Sequence, residues 1–213
     1  MTQLTIAIPK GRLQAKTLDL LSLAGLRLSS ETLSSRRLAV EDESGQCRLI
    51  FVKPADVIVY VEHGIADCGI VGRDVLLESE PDLLQPLSLN FGACRIVVAA
   101  TRNPPPNQPE ILRVATKYPR TAARHFGSRG VAVELIHLSG SVELASVLGL
   151  ADCVVDVVET GNTLRENGLK IIEVITDSTA RLVVNRASYQ LKADVIGQLV
   201  RSLEQTMRQA SSD

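Results

Sequence analysis

Short apolar runs alternate with stretches of helical periodicity along most of the chain. That is the pattern of an α/β fold whose strands are covered on both faces. Residues 4–8 read as a strand, broken by Pro9-Lys10-Gly11-Arg12, and residues 13–23 follow as an amphipathic helix. Two strand patterns, 36–40 and 48–52, flank the polar stretch Glu41-Asp42-Glu43-Ser44-Gly45-Gln46 and predict a β-hairpin. Pro54 opens a helix through residue 61, with Asp56 in its first turn and Gly64 ending it. Residues 68–71, 83–89 and 95–100 read as strands, and a short helix over 75–78 follows Gly72-Arg73-Asp74. The Pro- and Asn-rich residues 101–109 lack periodicity and predict a loop. Strands at 112–116 and 133–138 then alternate with helices at 119–128 and 142–148, the latter opened by Ser139-Gly140-Ser141. β-Branched runs at 169–175 and 181–184 precede one long amphipathic helix over 189–207.

The most informative stretch runs from Val154 to Asn167. An apolar strand carrying Asp156 and Glu159 turns through Thr160-Gly161-Asn162-Thr163 into a helical pattern. Asn162 or Thr163 is the expected N-cap, and Glu166 stands three residues after Thr163, as in a capping box. A Gly-containing turn that opens a helix converges free backbone N–H groups on one point, where an anion is favoured. Thr160 and Thr163 add hydroxyl donors, so a phosphate monoester suits the turn. Carboxylates just before it suit sugar hydroxyls, which makes a ribose 5-phosphate a better match than bare phosphate. The same residues also suit an ordinary capped helix whose acids face solvent. The turn is neither a Walker loop nor a G-x-G-x-x-G dinucleotide turn. Lys10 and Arg12 form a second candidate, two cations in a glycine turn at the end of the first strand, where open α/β sheets bind ligands.

An internal echo bears on organisation. Gly64-Ile65-Ala66-Asp67-Cys68-Gly69-Ile70-Val71 resembles Gly149-Leu150-Ala151-Asp152-Cys153-Val154-Val155-Asp156. Either the chain has two lobes built on similar βα units, or the same helix–glycine–strand grammar is used twice. In the two-lobe case, lobe I comprises residues 1–92 plus 179–213, lobe II comprises 93–178 with the phosphate turn, and the ligand is expected in the cleft between them.

Composition narrows the function classes. The chain has 213 residues, 45% of them hydrophobic, and a formal net charge of −1. That suffices for a real core and gives no electrostatic support for nucleic-acid or membrane-surface binding. No apolar run reaches the ~18 residues of a membrane span, and the N-terminus lacks the pattern of a signal peptide, so a cytoplasmic protein is expected. Four cysteines without a C-x-x-C pair read as reduced, with Cys68, Cys94 and Cys153 in apolar surroundings. The three histidines share no metal-ligand spacing, and no protein-held metal site is expected.

Five segments together resemble the ATP phosphoribosyltransferase family, which catalyses the first step of histidine biosynthesis. They are Ile8-Pro9-Lys10-Gly11-Arg12-Leu13, residues 67–76, residues 113–119, Ser139-Gly140-Ser141-Val142-Glu143, and residues 156–169, in family order over nearly the whole chain. The resemblance implies an α/β fold of two lobes like the type II periplasmic binding proteins. The length matches the short form, with no C-terminal regulatory domain. It further implies a homodimer in isolation and a hetero-oligomer with a regulatory subunit related to histidyl-tRNA synthetase.

The implied reaction joins ATP, through adenine N1, to 5-phosphoribosyl 1-diphosphate (PRPP), giving phosphoribosyl-ATP and pyrophosphate. By the same resemblance, Thr160, Gly161, Asn162 and Thr163 hold the PRPP 5′-phosphate, with Asp156 and Glu159 on the ribose. Lys10 and Gly11 take polyphosphate, together with Ser139, Gly140, Ser141 and Glu143 as ATP-positioning residues. Arg12 and Arg36 are the catalytic candidates, stabilising departing pyrophosphate. Mg²⁺ travels with the substrate phosphates. Two departures keep their charge: Arg73 stands where Lys is common, and Glu159 where Asp is common. The competing functions are a non-catalytic binding module on the same fold and a phosphoribosyltransferase with a different nucleophile.

Overall fold

The computed structural model describes residues 3–29, 37–101 and 110–210. The chain divides into two compact units. Unit 1 comprises Met1–Leu76, Glu80–Gly92 and Thr179–Asp213; unit 2 comprises Leu77–Ser79 and Ala93–Ser178.

Unit 1 holds a six-stranded sheet in the order β2-β3-β1-β4-β11-β5. Its strands are β1 (Leu4–Pro9), β2 (Ala39–Glu41), β3 (Cys47–Val52), β4 (Cys68–Gly72), β5 (Leu84–Ser88) and β11 (Ala180–Val184). β3, β1 and β4 run parallel, whereas β11 is antiparallel to both β4 and β5. The expected hairpin is present as β2 antiparallel to β3, with Val40 opposite Leu49. The part of its first strand before residue 37 lies outside the described residues.

Strand alternation assigns the two faces of this sheet. Ile6, Ile8, Ile70, Leu182 and Val184 face one side, packed with Leu20 and Leu21 of α1 (Gln14–Leu23) and Ile196, Leu199 and Leu203 of α8 (Ala193–Ala210). Ala7, Val71 and Val183 face the other, under Val57, Ile58 and Val61 of α2 (Pro54–Glu62). Each fully buried aliphatic side chain contributes roughly 1.5–3 kcal/mol to holding the helices on the sheet. The short helix α3 (Arg73–Ser79) follows β4 directly.

The C-terminal pattern divides differently from expectation. Residues 189–207 do not form one helix. α7 (Arg186–Leu191) and α8 are separated at Lys192, whose φ is −123 and ψ 32. The ammonium of Lys192 is drawn to Asp67 Oδ2 and the Gln3 carbonyl, 2.7 and 2.8 Å away. α7 begins at an N-cap, Asn185, whose side-chain oxygen accepts from the Ser188 N–H at 3.0 Å.

Unit 2 holds a five-stranded sheet in the order β10-β6-β9-β7-β8. Its strands are β6 (Cys94–Ala100), β7 (Leu112–Thr116), β8 (Val133–His137), β9 (Cys153–Val158) and β10 (Lys170–Ser178). β9, β7 and β8 are parallel; β6 and β10 are antiparallel additions. One face packs Val97, Ala99, Ala115, Val154 and Val158 against α5 (Glu143–Val147) and α6 (Asn162–Glu166) through Ala145 and Leu164. The other packs Ile96, Val98, Val114 and Val155 against Ala122 and Phe126 of α4 (Pro119–Gly127).

The internal echo has a structural basis. Asp67 and Asp152 each precede the strand of their copy and exchange bonds with the first part of the neighbouring parallel strand. Thr5 N–H donates to Asp67 Oδ2 at 2.8 Å, and Asp67 N–H donates to the Thr5 carbonyl at 2.8 Å. Arg113 N–H donates to Asp152 Oδ2 at 2.9 Å, and Asp152 N–H to the Arg113 carbonyl at 2.9 Å. The repeated Gly-x-Ala-Asp-Cys is thus a device that starts a parallel strand in register.

Candidate functional site

In unit 2 the parallel strands β8, β7 and β9 end on one side of the sheet, and the predicted site residues follow two of those ends. β9 carries Asp156, half-buried, whose Oδ1 accepts the N–H of Val157 at 2.7 Å. Glu159 and Thr160 follow on the exposed turn. Gly161 then adopts φ +77 and ψ 7 and is itself the N-cap of α6. A Cβ there would meet only Val158 Cγ1, at an ordinary 3.7 Å, so the left-handed backbone rather than lack of space demands glycine.

This corrects the expected capping box. Neither Asn162 nor Thr163 caps the helix, and Gly161 makes no side-chain cap bond. The left-handed residue turns the chain one step early, so helical geometry begins at Asn162 and ends after five residues. The hydroxyl of Thr160 accepts the Asn162 N–H at 3.4 Å, and the Asn162 side chain accepts from Arg165 Nη2. Leu164, buried at 3% exposure, pins the turn to the core. A helix this short adds little macrodipole. What it supplies is first-turn N–H groups without intrahelical acceptors, beside two threonine hydroxyls.

The second loop, Ser139-Gly140-Ser141, follows β8 and is exposed, with Glu143 half-buried at the start of α5. Ser141 has φ +49, a left-handed conformation uncommon outside glycine, and its carbonyl accepts the Leu144 N–H at 3.2 Å. Between the two loops, β7 ends at buried Thr116. Its hydroxyl donates to the Val155 carbonyl at 2.7 Å and accepts the Tyr118 N–H at 2.8 Å. Thr116 thereby fixes the middle of this rim to β9.

Unit 1 places Lys10, Gly11 and Arg12 immediately after β1, all exposed. Arg12 Nη1 donates to the Gly92 carbonyl at 2.9 Å. Gly92 has φ +68, and a Cβ on it would lie 2.3 Å from Leu13 Cδ2. Arg36 lies outside the described residues. The candidate residues therefore fall into two groups, Lys10 to Arg12 in unit 1 and the Ser139 and Thr160 loops in unit 2.

Sequence reasoning missed Gly92 as the partner of Arg12 and Arg165 as the partner of Asn162. The first contact joins residues 80 apart, which no local pattern reports. The second is an i, i+3 pair visible in the sequence once the helix start is known. Among the described residues, no group of three or more His, Cys, Asp and Glu stands together to hold a metal ion. All four cysteines are free, and Cys68, Cys94 and Cys153 are buried. Burial pushes the Cys47 and Cys153 thiols up to about 11 and about 12, which leaves them as neutral, unreactive groups. No helix among the described residues is long and apolar enough to cross a membrane.

Residues 53–205 match the family model described as ATP phosphoribosyltransferase. An ATP phosphoribosyltransferase of Sorangium cellulosum is 49% identical over 200 residues, 94% of each chain. One from a Geobacillus species is 47% identical, over 97% of this chain and 100% of its own. Among solved structures, the ATP phosphoribosyl transferase (HisG:HisZ) complex from Thermotoga maritima aligns with a TM-score of 0.82 at 37% identity, over 97% of this chain and 100% of that one. The periplasmic aliphatic sulphonate binding protein SsuA of Escherichia coli aligns at 0.61 with 13% identity, over 100% of this chain and 75% of that one, a likeness of fold alone. The two α/β units therefore have the fold expected from the sequence, and the chain belongs to the ATP phosphoribosyltransferase family.

Proposed function

We propose that the chain is the catalytic subunit of an ATP phosphoribosyltransferase, a pentosyl-transferring enzyme of the first step of histidine biosynthesis. It condenses ATP with PRPP to phosphoribosyl-ATP and pyrophosphate. The observation that carries the site assignment is the turn after β9. There, a left-handed glycine, two threonines and first-turn N–H groups stand beside two carboxylates, Asp156 on the strand and Glu159 at the start of the turn. A sugar 5-phosphate uses every one of those groups.

In this reading Thr160, Gly161, Asn162 and Thr163 hold the 5′-phosphate, and Asp156 and Glu159 accept from the ribose hydroxyls. Ser139, Gly140, Ser141 and Glu143 position the nucleotide, and Lys10 and Gly11 take polyphosphate. Arg12 stabilises negative charge on departing pyrophosphate, shared with Arg36. Adenine N1 attacks C1′ of the ribose as the C1′–O bond to diphosphate breaks. Neutral N1 has no proton to remove, so the protein needs no general base. Its work is to align the reactants and to stabilise the leaving group. Mg²⁺ enters with the substrate phosphates and neutralises part of their charge. A cytoplasmic location, a homodimer in isolation and a hetero-oligomer with a regulatory subunit related to histidyl-tRNA synthetase complete the proposal.

The test is an absorbance assay for phosphoribosyl-ATP from ATP, PRPP and Mg²⁺, with and without that regulatory subunit. Product in either mixture supports the reading. No product in both, together with no PRPP binding to the folded chain by calorimetry, would overturn it in favour of a binding module.

A further inference from the structure

In unit 2, β7 lies between β8 and β9, whose loops carry the candidate site residues. Its last residue, Thr116, pairs with His137 on one side and Val155 on the other. One step further along the register stand Lys117 just past β7, Asp156 on β9 and Leu138 just past β8. The backbone around Lys117 is held on both sides. The Thr116 carbonyl accepts the Leu138 N–H at 3.0 Å. The Thr116 hydroxyl donates to the Val155 carbonyl at 2.7 Å and accepts the Tyr118 N–H at 2.8 Å. Lys117 is therefore the exposed middle residue of a turn closed by a threonine side chain, between two buried neighbours.

Charge gives that position its meaning. Val154 and Val158 pack toward α5 and α6, so strand alternation puts Asp156 on the same face. Glu143 opens α5, and Glu159 begins the turn into α6. Residues 117–118, 138–143 and 156–163 make up the strand ends and the two candidate loops. They contain three acids, and Lys117 is their sole basic residue. Two arginines nearby are engaged elsewhere: Arg165 donates to the Asn162 side chain, and Arg95 of β6 has an acid opposite it, Asp177 of β10. A phosphate monoester carries roughly two negative charges, and Asp156 and Glu159 repel it. Backbone N–H groups and threonine hydroxyls donate hydrogen bonds but bring no net charge. β7 and β9 lie about 4.8 Å apart, a gap that the flexible four-carbon stem of a lysine spans.

We propose that Lys117 is a further substrate-binding residue, whose ammonium offsets the carboxylates at the end of β9 and donates to the phosphate of a pentose phosphate seated in the 160–163 turn. The proposal rests on the reading of that turn as a sugar-phosphate site, and adds to it the fixed positive charge that the turn itself lacks. Its effect belongs to the sugar phosphate and not to the nucleotide.

The experiment titrates the full-length chain with ribose 5-phosphate, PRPP and ATP by calorimetry, for wild type, Lys117→Met and Lys117→Arg. Melting temperatures are measured on the same samples, and wild type is assayed for phosphoribosyl-ATP. Lys117→Met keeps an apolar stem and removes the charge. It is expected to bind ribose 5-phosphate and PRPP about tenfold more weakly, the scale of one charge-assisted hydrogen bond, with ATP affinity and melting temperature unchanged. Lys117→Arg is expected to regain most of the loss, because it restores the charge. Wild-type affinity for both sugar phosphates in Lys117→Met would overturn the proposal, as would an equal loss toward ATP. In either case, product formation by wild type leaves the reading of the chain as a transferase standing. No binding of either sugar phosphate by wild type would overturn the proposal together with the assignment of the turn.

Discussion

Arg12 holds the carbonyl of Gly92 through one guanidinium N–H at 2.9 Å, joining the turn after the first strand to the last residue before unit 1 gives way to unit 2. The bond orients a long cationic side chain that would otherwise sample many rotamers. Arg12→Ala is expected to reduce kcat/KM by about 10²–10³-fold, or roughly 2.7–4 kcal/mol of transition-state stabilisation. Steady-state kinetics checks it, and a value within threefold of wild type removes Arg12 from the role proposed for it.

Gly92 should be as sensitive as its partner, for a different reason. A methyl group there collides with Leu13 at 2.3 Å and sits on a backbone with φ +68. Overpacking costs typically about 1–3 kcal/mol, and the left-handed backbone about 1–2 kcal/mol more. Gly92→Ala should therefore lower the urea-unfolding free energy by about 2–5 kcal/mol. Gly161→Ala, where the added methyl has room, should cost only the backbone part.

The phosphate turn separates binding from folding. Thr160 and Thr163 are both exposed, whereas Leu164 beside them is in the core. Thr160→Val with Thr163→Val is expected to weaken PRPP by about tenfold while the melting temperature stays within a few degrees. Leu164→Ala should instead destabilise the fold by about 2–5 kcal/mol. Calorimetry with PRPP and a thermal melt on each variant distinguish the two effects. Unchanged PRPP affinity in the double variant would refute the assignment of the turn.

The two aspartates of the internal echo predict unequal losses. Asp67 is buried at 6% exposure and takes bonds from Thr5 N–H, Ser188 Oγ and Lys192 Nζ. Removing it leaves the partly exposed Lys192 ammonium with the Gln3 carbonyl alone, and breaking one side of a buried pair costs at most about 3–5 kcal/mol. Asp152 lies nearer solvent, paired with Arg113 Nη2 at 2.7 Å. Asp67→Ala should thus lower the urea midpoint much further than Asp152→Ala.

Asp152 also carries a pH signature. The hydrogen bond from the Arg113 side chain holds its carboxyl below the usual carboxylate value. A group whose folded pKa is depressed stabilises the fold fully above its unfolded pKa, about 3.9, and loses that contribution as pH falls through the folded value. Between about pH 5 and pH 2, the stability of Asp152→Asn should decline less steeply than that of wild type. Urea midpoints across that range check the sign.

Local grammar made most elements visible in the sequence, and the failures have two causes, one long-range and one local. The strand before Thr160, the hairpin around Gly45 and the repeated Gly-x-Ala-Asp-Cys are all written in neighbouring residues. The amphipathic pattern of residues 189–207 is continuous and predicts one helix. The break comes from Lys192 reaching Asp67, 125 residues away. Asn185 with Ser188 did offer a local signal for the earlier start of α7. The capping box around Thr163 failed because a left-handed Gly161 can cap without a side chain, and sequence patterns reward side-chain caps. Strand order lay beyond reach for the same reason as the Arg12–Gly92 bond. That β11 inserts between β4 and β5 is a statement about partners far apart in the chain.

That insertion has a consequence for how the molecule is born. On the ribosome, every strand of unit 2 emerges before β11, so the second unit can close while the first still lacks an interior strand. At bacterial elongation rates the interval from β5 to β11 lasts on the order of ten seconds. Throughout it, the hydrogen-bonding edge of β4 and the apolar side chains meant for α8 are open to other chains. Nascent polypeptides stalled after residue 178 should therefore recruit chaperones through the earlier-made half, and release them once residues 180–210 have passed the exit tunnel.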